Sequence, residues 1–316
     1  MAYKVLIADK SDKICEKILK ERGLEPVVKT GMTPEELKAC IGEYDAVVVR
    51  SATTLTADII KAAKKLKVAA RAGAGYDNID VAAAKENKTV VMNTPFGNTV
   101  SAAEHALAMM MACARMIPQA NASTHLGKWE KSKFKGVEIT GKTVGVVGCG
   151  RIGQVFADRA KGLKMNVLAY DPFLTEEKAD EIGVKKVSLD ELYAKSDFVT
   201  YHVVLTPETK GMINKEAIAK MKKGIRLINC SRGAIMEEQD ILDGIASGQI
   251  AGVACDVYAK EPATSHPFFG NENIICTPHI AASTKDAQIR VAEQAAEQIA
   301  DYLLKGVKTN AVKGSF

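Results

Sequence analysis

The sequence lacks most of what would make it a membrane, secreted or fibrous protein. Its longest stretch without a charged residue, 89–103, contains Pro95, Gly97 and several polar residues, and a spanning helix needs ~20 mostly apolar residues. The N-terminus, MAYKVLIADKSDK, has an apolar core too short for a signal peptide. Cysteine occurs seven times, an odd number with no CxxC pair, which predicts buried free thiols in a reducing cytoplasm. No metal is expected. Aromatic residues make up only 5% of the chain, with a single tryptophan, Trp129, and the formal charge of +5 is spread along it. Without a basic block interleaved with aromatics, nucleic acid is not an expected partner.

What is present fits a globular protein. The 316 residues correspond to about two domains of roughly 150 residues. The rhythm is strand, turn, helix, repeated. KVLIAD (4–9), DAVVVR (45–50), KVAARAG (67–73) and TVVMNT (89–94) read as strands. Among the intervening helices, one is opened by the capping box Thr33-Pro34-Glu35-Glu36, with proline at its first position; another has Thr56 as its expected cap. Residues 101–116, SAAEHALAMMMACARM, form a long helix of small and flexible apolar side chains, suited to packing either between domains or between subunits. From 142 the rhythm restarts with KTVGVVG, NVLAYD, DFVTYHV, IRLINC, IAGVACDV and NIICTPH, and a helix over about 285–304 closes the chain. Short apolar runs alternating with helices predict parallel sheets covered on both faces, hence an α/β protein of two doubly wound units.

Gly148-Cys149-Gly150-Arg151-Ile152-Gly153 is a G-x-G-x-x-G that follows a strand and opens a helix. Gly148 permits a tight turn, Gly150 lets backbone approach a pyrophosphate, and Gly153 lets helix and strand pack closely. The helix N-terminus offers free N–H groups to the anion. A second strand ends at Asp171, about the ~20 residues on where a carboxylate would accept from a ribose 2′-hydroxyl. Pro172 and Phe173 supply no arginine for a 2′-phosphate, so NAD is favoured over NADP.

Ligands of open α/β sheets bind beyond the carboxyl ends of the strands. Three such ends carry Ser231-Arg232-Gly233, Tyr258 to Pro262 with Glu261, and His279. An arginine, a glutamate and a histidine beside a nicotinamide suggest hydride transfer between a hydroxyl and a carbonyl. Histidine exchanges protons near neutral pH. A carboxylate beside it raises its pKa and fixes the ring, and arginine can grip a substrate carboxylate. His202, also at a strand end, competes for the proton-transfer role.

At this point the sequence resembles the D-2-hydroxyacid dehydrogenases over nearly its whole length, through GAGYDNID (73–80), NTPFGNTVSAAEHAL (93–107), GKTVGVVGCGRIG (141–153), INCSRG (228–233), DVYAKEP (256–262) and TPHIAAST (277–284). The resemblance implies an NAD-binding Rossmann domain, 98–285, inserted into a flavodoxin-like substrate domain, 1–97 with 286–316, the two closing over the ligands. It implies that Arg232 binds substrate, Glu261 tunes the histidine and His279 is the acid/base. Arg151 and Ile152 would meet the pyrophosphate, while Cys230, Asp256 and the turn from His279 to Ala282 would surround the nicotinamide. Ala74 and Gly75 would present N–H groups to the substrate carboxylate, with Ala74 also near the cofactor, and the helix 101–118 would make a homodimer. Two departures stand out. His202-Val203-Val204 replaces the family's His-Thr-Pro, so Val203 lacks a hydroxyl for NAD, and the sequence stops soon after its closing helix, so serine feedback through the C-terminal regulatory domain of many relatives is not expected.

The strings VVRSATTLT (48–56), ARAGAGYDN (70–78) and ARMIPQANAS (114–123) are similar to members acting on 3-phosphoglycerate. A phosphate needs cations; Arg50 with Ser51, and Arg71, stand at strand ends in the first half. Oxidation of 3-phosphoglycerate is therefore the expected reaction. A glyoxylate or hydroxypyruvate reductase, and an NAD-sensing binding protein on the same fold, are the alternatives.

Overall fold

The computed structural model describes residues 2–315. Met1 and Phe316, the outer ends of the expected substrate domain, lie outside them. The chain forms two units, 2–98 with 283–315, and 99–282.

The first unit runs β1 (Lys4–Ile7), α1 (Lys13–Glu21), β2 (Glu25–Val28), α2 (Pro34–Cys40), β3 (Ala46–Val49), α3 (Ala57–Ala62), β4 (Val68–Arg71), α4 (Val81–Glu86) and β5 (Val90–Asn93). Its sheet is parallel throughout, in the order β2-β1-β3-β4-β5. Val5, Leu6 and Ala46 to Val49 are at most 1% exposed, as strands covered on both faces must be. The capping box at Thr33 forms, whereas Thr56 caps α3 with its backbone alone. The motif reading missed β2 because Pro26 removes a ladder donor; that strand survives because it is an edge.

The second unit holds α5 (Thr99–Arg115), α6 (Ile117–His125), β6 (Thr143–Val147), α7 (Arg151–Gly162), β7 (Asn166–Tyr170), α8 (Glu176–Ile182), β8 (Lys185–Lys186), α9 (Leu189–Lys195), β9 (Phe198–Tyr201), α10 (Lys215–Ala219), β10 (Ile225–Asn229), α11 (Glu238–Ala246), β11 (Ile250–Cys255) and β12 (Ile274–Cys276). The chain then returns to the first unit as α12 (Lys285–Lys305), whose Val291, Ala295, Ala296 and Ile299 are buried against β3, β4 and β5.

The second sheet is also parallel, in the order β12-β11-β10-β9-β6-β7-β8. Its direction of growth reverses between β6 and β9, and in the first unit between β1 and β3. Such reversals open a crevice beyond the carboxyl ends of the strands. The expected single helix over 101–118 is two helices. Met116 adopts φ 55° because Pro118, at the second position of α6, cannot donate to the carbonyl of Ala114 and would clash with it. No helix among the described residues is long and apolar enough to cross a membrane.

Candidate active site

Beyond β6 the glycine-rich turn meets the steric demands read from its sequence. Gly148 has φ 89°, and a Cβ there would lie 2.6 Å from the carbonyl oxygen of His202 and 3.0 Å from Val203 Cγ1. A Cβ on Gly153 would meet the Gly148 oxygen at 2.1 Å, whereas one on Gly150 would meet nothing within 4 Å. The outer face of the turn is therefore open while its inner face is packed. Gly150 caps α7 without a side-chain acceptor, although α8 and α9 are capped by Thr175 and Ser188. The N-terminus of α7, which begins at Arg151, carries the partial positive charge that favours an anion, and Ile152 packs against the core beneath. Asp171 accepts from Cys149 N at 2.9 Å and Phe173 N at 2.8 Å. A carboxylate fixed on two sides, with lone pairs to spare, suits a ribose diol. These residues fit NAD.

The ends of β10, β11 and β12 converge. Asn229, fully buried, accepts from Ser231 N at 3.0 Å and donates to Arg232 O at 2.9 Å, which shapes the turn carrying Arg232. A Cβ on Gly233 would lie 2.0 Å from the carbonyl carbon of Tyr258, so this turn packs directly on the loop carrying Glu261. The Arg232 guanidinium donates to Ser231 O at 2.7 Å. Glu261 Oε1 accepts from Tyr258 N at 2.9 Å, and its Oε2 stands 2.5 Å from His279 Nδ1.

The charges of this group are mutually adjusted. The hydrogen bond that His279 Nδ1 donates to Glu261 raises the His279 pKa above its ordinary value, against burial and the nearby Arg232. Burial pushes the Glu261 carboxyl up, but bonds from His279 and Tyr258 N hold it below the usual range. His279 itself has φ 52°, a left-handed conformation that costs a non-glycine residue energy and clusters at functional sites. With Nδ1 engaged by Glu261, Nε2 is the nitrogen left for a substrate. His202 does not compete: burial pushes its imidazole down to about 4, where it lies beside the Thr200 hydroxyl at 3.1 Å and the Phe156 ring. Cys230 packs against the core, and Ala282 follows the buried Ala281.

In the first unit Arg50 and Arg71 end adjacent strands, Val49 pairing with Arg71. Sequence reasoning missed what holds them. Asp9, 5% exposed, accepts from Arg50 N at 2.5 Å and from the Thr53 hydroxyl at 2.7 Å. Asn78 donates at 2.6 Å to the carbonyls of Arg50 and Thr53. Together they pin the loop bearing Ser51, and the Arg50 guanidinium donates to Lys10 O at 3.2 Å. The Arg71 guanidinium fills the space a side chain on Gly73 would need, which places it on the turn of Ala74 and Gly75; Asn93 holds that turn through Ala74 O at 2.6 Å. A carboxylate two residues beyond β1, closing the run KVLIAD, was the available signal.

Fold and glycine-rich turn together define a dinucleotide-binding α/β domain carrying an Arg–Glu–His group. Residues 107–281 match the NAD-binding domain of the D-isomer specific 2-hydroxyacid dehydrogenases, and the chain belongs to that family. It is 49% identical over 311 residues to D-3-phosphoglycerate dehydrogenase of Archaeoglobus fulgidus, covering 98% of this chain and 59% of that protein. To the enzyme of the same name from Synechocystis it is 50% identical, over 95% of this chain and 54% of that one. The chain thus spans little more than half the length of these curated relatives. Among solved structures, NAD+-bound 3-phosphoglycerate dehydrogenase of Entamoeba histolytica superposes with a TM-score of 0.84 at 31% identity, over 99% of each chain.

Proposed function

We propose that this chain catalyses the NAD-dependent oxidation of 3-phosphoglycerate to 3-phosphohydroxypyruvate. The observation that carries the chemistry is the 2.5 Å contact between His279 Nδ1 and Glu261 beside Arg232. His279 Nε2 takes the hydroxyl proton of the 2-hydroxy acid, Glu261 stabilises the imidazolium that results, and Arg232 grips the substrate carboxylate. Bound NAD supplies the hydride acceptor, held by the turn from Gly148 to Gly153, Asp171 and the residues around Asp256. Residues 1–97 with 286–316 serve the substrate and 98–285 the cofactor. The names of the two curated relatives support phosphoglycerate as substrate, and so do Arg50 and Arg71. In this reading Arg50, Ser51 and Arg71 take the phosphate, while Ala74 and Gly75 meet the carboxylate.

The test is a panel of phosphorylated and unphosphorylated 2-hydroxy and 2-keto acids with NAD+ and NADH. Losing a charge-assisted hydrogen bond costs about 1.5–3 kcal/mol. Arg50→Ala is therefore expected to lower kcat/KM for 3-phosphoglycerate about 10- to 100-fold and to leave unphosphorylated acids within threefold. Equal selectivity in wild type and variant would remove the phosphate from the proposal.

Two further readings go with this one. The homodimer would form through residues 101–118, where Ile117, at 55% exposure, is a large apolar side chain that a second copy would cover, so light scattering is expected to give a homodimer mass. A monomer at micromolar concentration would rule this out. The seven cysteines are all free, and burial pushes Cys15 up to about 12 and Cys113 up to about 11, as suits a reducing cytoplasm.

A further inference from the structure

Asp256 is a carboxylate with no exposed surface, placed just beyond β11. Its Oδ1 accepts from the Thr277 hydroxyl at 2.5 Å and from Ile280 N at 2.9 Å, and its Oδ2 from Ala281 N at 2.9 Å. Its backbone oxygen accepts from His279 N at 2.8 Å. Three consecutive N–H groups, 279 to 281, are therefore tied to one residue, and this wrapping holds His279 in its left-handed conformation. Burial pushes the Asp256 carboxyl up, yet bonds from His105, Thr277 and the two N–H groups outweigh that and keep it ionised.

His105 reaches this anchor from α5. Its Nε2 lies 3.3 Å from the Thr277 hydroxyl and 3.4 Å from Asp256 Oδ1. The Thr277 proton is committed to Asp256, so both oxygens present lone pairs toward the imidazole. A bare nitrogen there would set lone pair against lone pair, so Nε2 carries a proton and shares it between them. α5 also packs on β10, β11 and β12, so the imidazole projects from a rigid support.

We infer that His105 is a positioning residue: through Asp256 and Thr277 it fixes the turn that aims His279. The inference rests on the proposed role of His279 in proton transfer. An anchor whose buried carboxylate loses a donor loosens, and a misplacement near 1 Å can cost on the order of 100-fold in rate.

The experiment compares His105→Gln, whose amide N–H can replace the donor, with His105→Leu, which cannot donate. His105→Leu is expected to lower kcat about 10- to 100-fold with KM for both substrates within threefold, and His105→Gln to stay within threefold of wild type. Hydrogen exchange at Ile280 and Ala281 should quicken at least tenfold in His105→Leu alone, with the strand amides of Leu227 and Val253 unchanged. The inference is overturned if the two variants behave alike, or if the strand amides quicken with the turn. Should wild type turn over no acid in the panel, the proposed function fails, and the exchange rates still decide whether His105 holds the turn.

Discussion

His279→Asn is expected to lower kcat by about 100- to 10,000-fold, the usual contribution of a positioned acid/base, with substrate and cofactor KM changing far less. Asparagine can keep a hydrogen bond to Glu261 but cannot exchange the proton. The companion variant, Glu261→Gln, tests the direction of the pKa shift. The hydrogen bond that Glu261 accepts and its negative charge raise the His279 pKa. Oxidation needs the neutral imidazole, so kcat/KM should fall as pH drops through that raised pKa. Reduction needs the imidazolium and should fall as pH rises through it. Without the carboxylate both limbs should move to lower pH. Profiles of kcat/KM in the two directions decide this, and a limb that stays in place or moves up would refute the pairing as the cause.

Gly233→Ala is expected to be nearly as damaging, although it removes no functional group. Its Cβ would sit 2.0 Å from Tyr258 C and 2.4 Å from Ala259 N. Both are backbone atoms, so no side-chain rotation relieves the clash. The turn of Arg232 and the loop of Glu261 must separate, and overpacking of this kind costs about 1–3 kcal/mol. We expect kcat to fall by about 100-fold or more and the melting temperature to drop. Gly162→Ala is the control. Nothing lies within 4 Å of its Cβ position, in the last turn of α7, so it should leave activity unchanged. Wild-type kcat in Gly233→Ala would mean that these two loops do not depend on each other.

The two outcomes concern residues of different legibility. Gly148, Gly150, Gly153 and Asp171 belong to a spacing whose steric reasons act within a few residues, and Arg232, Glu261 and His279 announce themselves as polar groups at the ends of apolar runs. Gly233 stands in the sequence only as the neighbour of Arg232 in Ser231-Arg232-Gly233 and in INCSRG, with no role of its own. Its constraint comes from Tyr258, on another strand end, and no local pattern exposes it. His202 shows the converse. It had the same position at a strand end as His279, and only burial beside Phe156, without a carboxylate partner, separates the two.

Periodicity and turn chemistry are local properties, so the chain's strands, its helices with their caps, the parallel α/β class and the dinucleotide turn could all be read along the sequence. Partner choice is not local. His105 and Thr277 are 172 residues apart, and Asp9 and Thr53 are 44 apart. Which buried carboxylate meets which donor depends on strand order and on the packing of helices over the sheet. Those decided how the turn at His279 is held, why β2 tolerates a proline at the edge, and which of two strand-end histidines keeps a proton to exchange.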